Sequence, residues 1–572
     1  AIVLMDKTPL TINGKIDRRA LPVPTPERTT IAEYLPPRNE IENILTEAWE
    51  NALEIAPIGI HDDYFALGGD SIRVIRLVHE VKKYDLTITP KDVLLNPTVH
   101  KLARAISGIY SEQAQTEIPM DLVRLPDEVF DSLPDEIEDA YPASKMQQLM
   151  IHHYAKDDRR RGVYHCQHWF HVYDEAMSLP AFRNALEIIV RRHPNLRTGF
   201  ATANGAGPIQ IIRKTVDLSI EEENITHLTL PEQESYIEEV IKTDKDNPFS
   251  VGQTSAPLFR FKILIRSENS VEFFFSIHHA IDDGWGHVEF LNELNDLYMA
   301  IKNGQDVSLQ PWHDSYKEFI ALEQEILRSQ PAAEFWNDHI KDEMHKPLPR
   351  RSIIDPASET AYVCNLSAEL SADLKRLAQW SRVSLKTVFL SAYLDLIANK
   401  TKQEIVTVGV VSNGRSERLS DPLKAMGLFW NIIPLCSRIN PVDKLFQLRE
   451  TQRLLISIEP YARYPLTRIF EDRQKNELFF AVINFLYFHN VRQSADGSGP
   501  KTLRSNSHDL FHFPLVYAVS INPLTGQAGL RVSYDKQYFD NESLRSMTDE
   551  YLSLLNEMAL LNPEIAPPIR AQ

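Results

Sequence analysis

Two stretches of the chain combine residue types whose spacing could do chemistry. In SIHHAIDDGWG, Ser276 to Gly286, the adjacent His278 and His279 end an apolar run and are followed by Asp283 and Gly284. A neutral imidazole near pH 7 is a ready acceptor for an amine proton, and a nearby carboxylate can fix the surrounding backbone. One His where a strand leaves a core is most often a structural group; two in a row with Asp-Gly behind them point to proton transfer. Asp282, which doubles the acid, reads as an ordinary polar residue of a loop entering a helix. In HDDYFALGGDSI, His61 to Ile72, Gly68 and Gly69 permit a tight turn directly before a helix. Ser71 is thereby placed at a helix N-terminus, where oriented amides and the positive dipole end favour a phosphate ester on its hydroxyl. The plainer role for Asp70 or Ser71 is a helix cap. A third stretch, YHCQHWFH, offers His165, Cys166, His168 and His171 at metal-like intervals. On an extended strand those side chains divide between two faces, so no metal site is expected.

The elements that must position these residues follow from apolar spacing. Ile41, Ile44, Leu45, Ala48, Trp49 and Ala52 recur at three- and four-residue steps, predicting an amphipathic helix over 38–53. A second helix runs from Ser71 to Val81 on Val74, Leu77, Val78 and Val81, and a last one from Val99 to Ile106. These make a small, compact all-α bundle over 38–107. It is preceded by LPVPTPERTTIAEYLPP, Leu21 to Pro37, whose five prolines exclude a helix or central strand. Residues 108–137 are acidic and weakly periodic, a second linker or docked strap. Beyond them strand-like runs at Leu258–Ile265, Val271–His278, Ile405–Val411 and Leu478–Leu486 alternate with helical patterns at His287–Ile301, Trp312–Ser329 and Leu370–Ser381. That alternation is the mark of α/β or α+β layers, and its length suggests two lobes, 138–345 and 346–562, with a tail over 563–572.

Size and composition bound the rest. At 572 residues, 43% hydrophobic and 24% charged, the chain is multidomain and globular. Subtracting 79 acidic from 61 basic residues gives −18, a field that repels a phosphate backbone or an anionic membrane surface. Partners are therefore proteins or small molecules. Cys166, Cys364 and Cys436 are too few and too scattered for a disulfide framework, which fits a reducing, cytoplasmic setting. No run approaches the ~18 apolar residues of a membrane span. The opening AIVLMDKTPL has neither an initiator Met nor a signal pattern, so the chain is expected to begin inside a longer polypeptide.

Asp63, Phe65, Leu67, Gly68, Gly69, Asp70 and Ser71 stand in the order DxFxLGGDS, which resembles the attachment motif of peptidyl carrier proteins of nonribosomal peptide synthetases. The stretch from His278 to Gly284 matches HHxxxDG, the signature of condensation domains. Supporting motifs follow in that family's order: YPASKMQQLM from Tyr141, RRHPNLRTGF from Arg191, NPFSVGQTSAPLFR from Asn247, MGLFWNIIPL from Met426, YARYPL from Tyr461 and ELFFAVINF from Glu477. PLTINGKIDRRALPVP, Pro9 to Pro24, resembles the closing motif of an adenylation domain, with Lys15 as its substrate-contacting lysine and residues 1–24 as its tail.

The resemblance implies a 4'-phosphopantetheine arm on Ser71, with Gly69 and Asp70 shaping its turn, and a four-helix carrier. It implies a chloramphenicol acetyltransferase-like condensation domain of two lobes with His279 near the centre of a tunnel. His279 would deprotonate or orient an attacking amine, while His278 and Asp283 hold the loop, with Arg197 or Arg415 as partner of Asp283. Implied partners are an upstream adenylation domain, a downstream acceptor carrier protein or free amine, and a phosphopantetheinyl transferase. An epimerisation domain, a terminal cyclising or amine-releasing condensation domain and a catalytically silent recruiting domain are the alternatives. Three positions depart from the family pattern: SKMQQL stands for SxAQxRL, Trp430 lies between Phe429 and Asn431 where Val is commoner, and Gly286 stands where Ser is frequent. His152 and His153 resemble an extra His motif of dual epimerising domains but lie after the first condensation motif and are set aside.

Overall fold

The computed structural model describes residues 34–107, 117–156, 162–203, 207–218, 220–251, 257–307, 315–340, 361–475, 477–486, 499–522 and 525–562. Lys15 and the expected adenylation tail, most of the proline-rich connector, the expected lobe boundary near 345 and the tail from 563 lie outside them. The described residues form two compact units, one holding residues up to 107 with Arg376–Thr387, the other holding the remainder.

Residues 34–107 of the first unit carry the helices α1 (Glu40–Leu53), α2 (Ser71–Lys82), α3 (Pro90–Leu95) and α4 (Val99–Ser107). Helix α1 starts where the Asn39 side chain accepts from Glu42 N at 2.9 Å and stops at Glu54 in the left-handed region. Leu45, Ala48, Trp49, Leu77, Val78, Val81, Val93 and Leu102 close a core. Helix α3 escaped periodicity because it is only six residues long; its signals are local, Pro90 at the first position and a Thr89–Asp92 capping box.

In the second unit the first seven strands are β1 (Ile137–Pro142), β2 (His165–Tyr173), β3 (Thr198–Ala203), β4 (Gly207–Arg213), β5 (Ile220–Asn224), β6 (Phe259–Ser267) and β7 (Ser270–His278). The next seven are β8 (Ala361–Asn365), β9 (Ile405–Ser412), β10 (Asn431–Arg438), β11 (Ala481–Leu486), β12 (Lys501–His508), β13 (Leu515–Ile521) and β14 (Ala528–Tyr534). They build sheets ordered β1-β4-β3, β12-β2-β7-β6-β5 and β10-β9-β11-β13-β14-β8. Strand β12 comes from the second half of the sequence yet pairs antiparallel with β2, so the expected division near 345 does not separate the sheets. Arg504 on β12 pairs with Glu234 at 2.8 Å, and a buried Arg266–Glu272 pair at 2.8 Å lies beside it.

Strand β7 is buried at all nine positions, which explains its run of three phenylalanines: both faces are covered and alternation is unnecessary. Among the helices on either side of it are α5 (Asp127–Phe130), α6 (Lys145–Ala155), α7 (Leu179–Arg192), α8 (Leu230–Lys245) and α9 (Gly284–Lys302). From α9, Phe290 stacks on Phe275 with ring centroids 4.5 Å apart. The strap expected over 108–137 is docked where it is described: Leu125 joins Ile137, Ala140, Ile209 and Ile211 in a core cluster, with Val129 and Leu133 packed on it. No helix among the described residues is long and apolar enough to cross a membrane.

Candidate functional site

The Ser71 turn is fastened from beneath by an aromatic ring. Tyr64 is fully buried, stacks edge-on against Trp49 and donates from its hydroxyl to Asp70 O at 2.9 Å. A Cβ at position 69 would lie 2.3 Å from that ring, so only glycine lets the backbone cross it. Gly68 has φ +88°, a conformation few other residues adopt, and its carbonyl accepts from Arg73 Nη1 at 2.9 Å. Asp63 folds the preceding segment by accepting from Phe65 N at 3.0 Å and Ala66 N at 3.2 Å. Asp70 then caps α2 through Oδ1, which accepts from Ile72 N at 2.8 Å and Arg73 N at 2.9 Å. Ser71 is the first helical residue. The cap thus occupies amides that the sequence reading offered to a phosphate, leaving the field of the helix end as the favourable term.

In the second unit the HHxxxDG stretch runs from the end of β7 through a single 3-10 turn, His279–Ile281, into α9. His278 is fully buried, its Nδ1 accepts from Ala280 N at 3.1 Å, and Tyr154 meets its ring edge-on. Burial, reinforced by His279 and His165 nearby, pushes its pKa down to about 3, so the ring is neutral and structural. His279 is partly exposed. Its Nδ1 lies 2.7 Å from the carbonyl of Asp282. A carbonyl only accepts, so Nδ1 carries the hydrogen and Nε2 is left as a proton acceptor. The rings of Trp430, Phe511 and Tyr164 stand around the imidazole at centroid distances of 5.3, 5.8 and 6.4 Å. The backbone of His279 is held by donation to Tyr164 O at 2.9 Å.

Three successive carbonyls of this loop are each taken by a different part of the unit. Gln147 Nε2 on α6 donates to Ala280 O at 2.9 Å, Asn195 Nδ2 donates to Ile281 O at 3.0 Å, and His279 itself takes Asp282 O. Gln147 and Asn195 belong to the two motifs that begin at Tyr141 and Arg191, so motifs far apart in sequence meet on one turn. Asp283 caps α9 by accepting from Gly286 N at 2.8 Å. It also receives a two-pronged contact from Arg415, Nη1 to Oδ2 at 2.7 Å and Nη2 to Oδ1 at 3.0 Å, and a bond from Phe429 N at 3.2 Å. Both members of this ion pair are buried. Gly284 opens the helix.

Two expectations are corrected. Arg197 does not reach Asp283; it pairs with Glu138 and donates to the carbonyl of Arg213, because its 3-10 turn leads into β3 at the small sheet. Asp282 is not an ordinary polar loop residue: it is 3% exposed, and burial holds its carboxyl well above the usual range. Tyr164 and Phe511 carried no sequence signal, since their roles depend on the chain returning from distant segments. Trp430 had one, its departure from the family pattern. No group of acids, histidines and cysteines fit to hold a metal occurs among the described residues.

Residues 137–565 match the family model for the condensation domain, and residues 43–106 match that for the phosphopantetheine attachment site, whose prosthetic group is 4'-phosphopantetheine on a serine. Tyrocidine synthase 3 of Brevibacillus parabrevis is 27% identical over 98% of this chain and 8% of its own length. The AMB antimetabolite synthetase AmbE of Pseudomonas aeruginosa is 27% identical over 100% of this chain and 27% of its own. The chain therefore spans a small part of the curated relatives it matches. Among solved structures, the condensation domain from the Monacolin K polyketide synthase MokA superposes with a TM-score of 0.61 at 19% identity, covering 75% of this chain and 99% of that one. The first condensation domain of the calcium-dependent antibiotic synthetase gives 0.61 at 14% identity, covering 74% and 96%. These likenesses share the two-lobed α/β fold, and with a family model spanning well over half its length the chain belongs to the condensation-domain family.

Proposed function

We propose that this chain is the carrier and condensation portion of a nonribosomal peptide synthetase, forming an amide bond between a donor acyl thioester and an acceptor amine. The observation that carries the reading is His279, whose Nδ1 is committed to the Asp282 carbonyl at 2.7 Å and whose Nε2 is left to accept a proton inside an aromatic wall. The amine becomes nucleophilic as Nε2 takes its proton or orients it; His278 and Asp283 keep the loop in place. No acyl-enzyme is required, because a thioester is already activated.

Ser71 is the residue we assign to 4'-phosphopantetheine, which when bound supplies the thiol that carries the donor. The site fits that group: the serine opens a helix of twelve residues, on a turn that Gly68, Gly69 and Asp70 fix against Tyr64. The reading includes a four-helix carrier over 38–107, an adenylation tail over 1–24, linkers at 25–37 and 108–137, lobes over 138–345 and 346–562, and a tail over 563–572. It places the protein in the cytoplasm, served by an upstream adenylation domain, a phosphopantetheinyl transferase and a downstream acceptor carrier or free amine.

The test loads Ser71 with a donor, supplies an acceptor amine, and follows amide and solvent deuterium together. His279→Ala should abolish amide while leaving loading intact, and Ser71→Ala should prevent loading altogether. Deuterium uptake at the donor without amide, lost in His279→Ala, replaces this reading with epimerisation; neither product in the wild type replaces it with a recruiting domain.

A further inference from the structure

Behind His279 lies a group that the proposed reaction does not use. Asp282 extends with φ −150° and ψ 156°, and its side chain folds under the first turn of α9 instead of reaching solvent. There its Oδ1 lies 2.5 Å from where a Cβ at position 286 would stand. The carboxyl and any side chain at 286 therefore compete for one space, and Gly286 leaves it to the carboxyl. The backbone carbonyl of the same Asp282 is the acceptor for His279 Nδ1.

We propose that Asp282, seated in the space that Gly286 leaves empty, is a positioning residue that aims the Asp282 carbonyl at His279 and so selects the Nε2-acceptor form of the imidazole. The proposal rests on the amide-forming reading for its use, but the geometry it concerns is independent of substrate. A carbonyl is aimed by its own residue's backbone, and the backbone of residue 282 is anchored by whatever its side chain is wedged against. Here the wedge is the α9 turn, whose Gly286 stands where Ser is frequent in the family.

The surroundings of the carboxyl favour its uncharged form. Burial, then the charge of the neighbouring Asp283, disfavours its charged form, with a hydrogen bond from the Asp283 backbone and then Arg415 opposing. Its Oδ2 faces His287 Nδ1 on α9 at 3.9 Å, too far for a hydrogen bond, and its Oδ1 has no hydrogen-bond partner among the described residues. From β2, Cys166 lies within its field and His168 stacks on His287 with centroids 3.9 Å apart. Neither ring nitrogen of His287 has a partner among the described residues, and burial holds that ring neutral. A charged carboxylate would find Asp283 repelling it and Arg415 already engaged. A protonated one escapes that repulsion, and an amide matches its shape without the charge.

The test reads His279 directly by nitrogen-15 imidazole spectroscopy of the full chain, alongside amide formation on loaded carrier. In the wild type a single neutral form, hydrogen on Nδ1, is expected. Asp282→Asn should keep that form, whereas Asp282→Ala and Gly286→Ala should each mix the two neutral forms and slow amide formation about tenfold to a hundredfold, the cost of a misaimed catalytic group. Because one side chain displaces the other, Asp282→Ala with Gly286→Ala should be no worse than Asp282→Ala alone. An unchanged His279 form in Gly286→Ala, additive losses in the double variant, or an Asn variant that behaves like Ala overturns the proposal. If the wild type makes no amide, the proposed function fails, while the spectra still decide this inference.

Discussion

The two reactive turns are built on the same local device and secured in opposite ways. Asp70 caps α2 and Asp283 caps α9, each in extended backbone and each accepting the amides of the first turn. Around Asp70 the fastening comes from its own neighbourhood: Tyr64, six residues earlier, and Arg73, three residues later at 3.9 Å. Around Asp283 it comes from afar, through Arg415 and Phe429, more than a hundred residues on and fully enclosed. The carrier turn is thus tied mainly by residues close in sequence and presents Ser71 at a helix start. The condensation loop is a keystone, whose residues are held by motifs that have no other reason to be together. A cap in the first setting stabilises one helix; in the second it stabilises the meeting of two halves of a domain.

Breaking the keystone should have the largest effect. Asp283→Ala leaves the Arg415 charge buried and unpaired, and should cost the second unit about 3–5 kcal/mol, read by chemical denaturation; a loss near that of a surface cap would show that Arg415 finds another partner. Next comes acid. His278 is held neutral with its pKa at about 3 against an ordinary 6.5, so its contribution is whole above 6.5. As pH falls from 6.5 toward 3 the unfolded chain binds a proton that the folded chain refuses, and up to a few kcal/mol are lost from the second unit. His278→Gln should remove its share of that slope, which partly buried histidines of the second unit such as His153 and His339 also carry, while the carrier unit, which has no such histidine in its turn, should not share it. Third, Gly69→Ala drives a methyl group into the Tyr64 ring and should cost the first unit about 1–3 kcal/mol, with slower attachment of the arm to Ser71; an unchanged melting midpoint would mean the ring yields. The smallest effect belongs to Asp70→Ala, about 1 kcal/mol and confined to the carrier unit, because only a helix cap and a half-exposed contact are lost. A loss as large as that of Asp283→Ala would erase the contrast between the two turns.

Much of both sites was legible in the chain because local chemistry writes itself into short windows. Gly-Gly before Asp-Ser announces a turn entering a helix, and HHxxxDG announces a strand leaving a core for another, since capping and turn preferences act over a few residues. The stripes of α1 and α2 and the phenylalanine-rich stretch of β7 likewise marked their elements, each being a direct record of which faces meet water. What the sequence could not decide was which distant groups satisfy those turns. Arg197 and Arg415 were equal as partners of Asp283 until the fold delivered one to Asp283 and the other to Glu138. Asp282 read as an ordinary polar loop residue because burial belongs to the packed assembly and not to the residue. Tyr164, Trp430 and Phe511 gather around His279 only because three separate segments return to one place. Strand β12 leaves the half of the chain that encodes it to pair with β2, a choice made by an open sheet edge and the Arg504 contacts, neither of which leaves a mark in any short stretch of sequence.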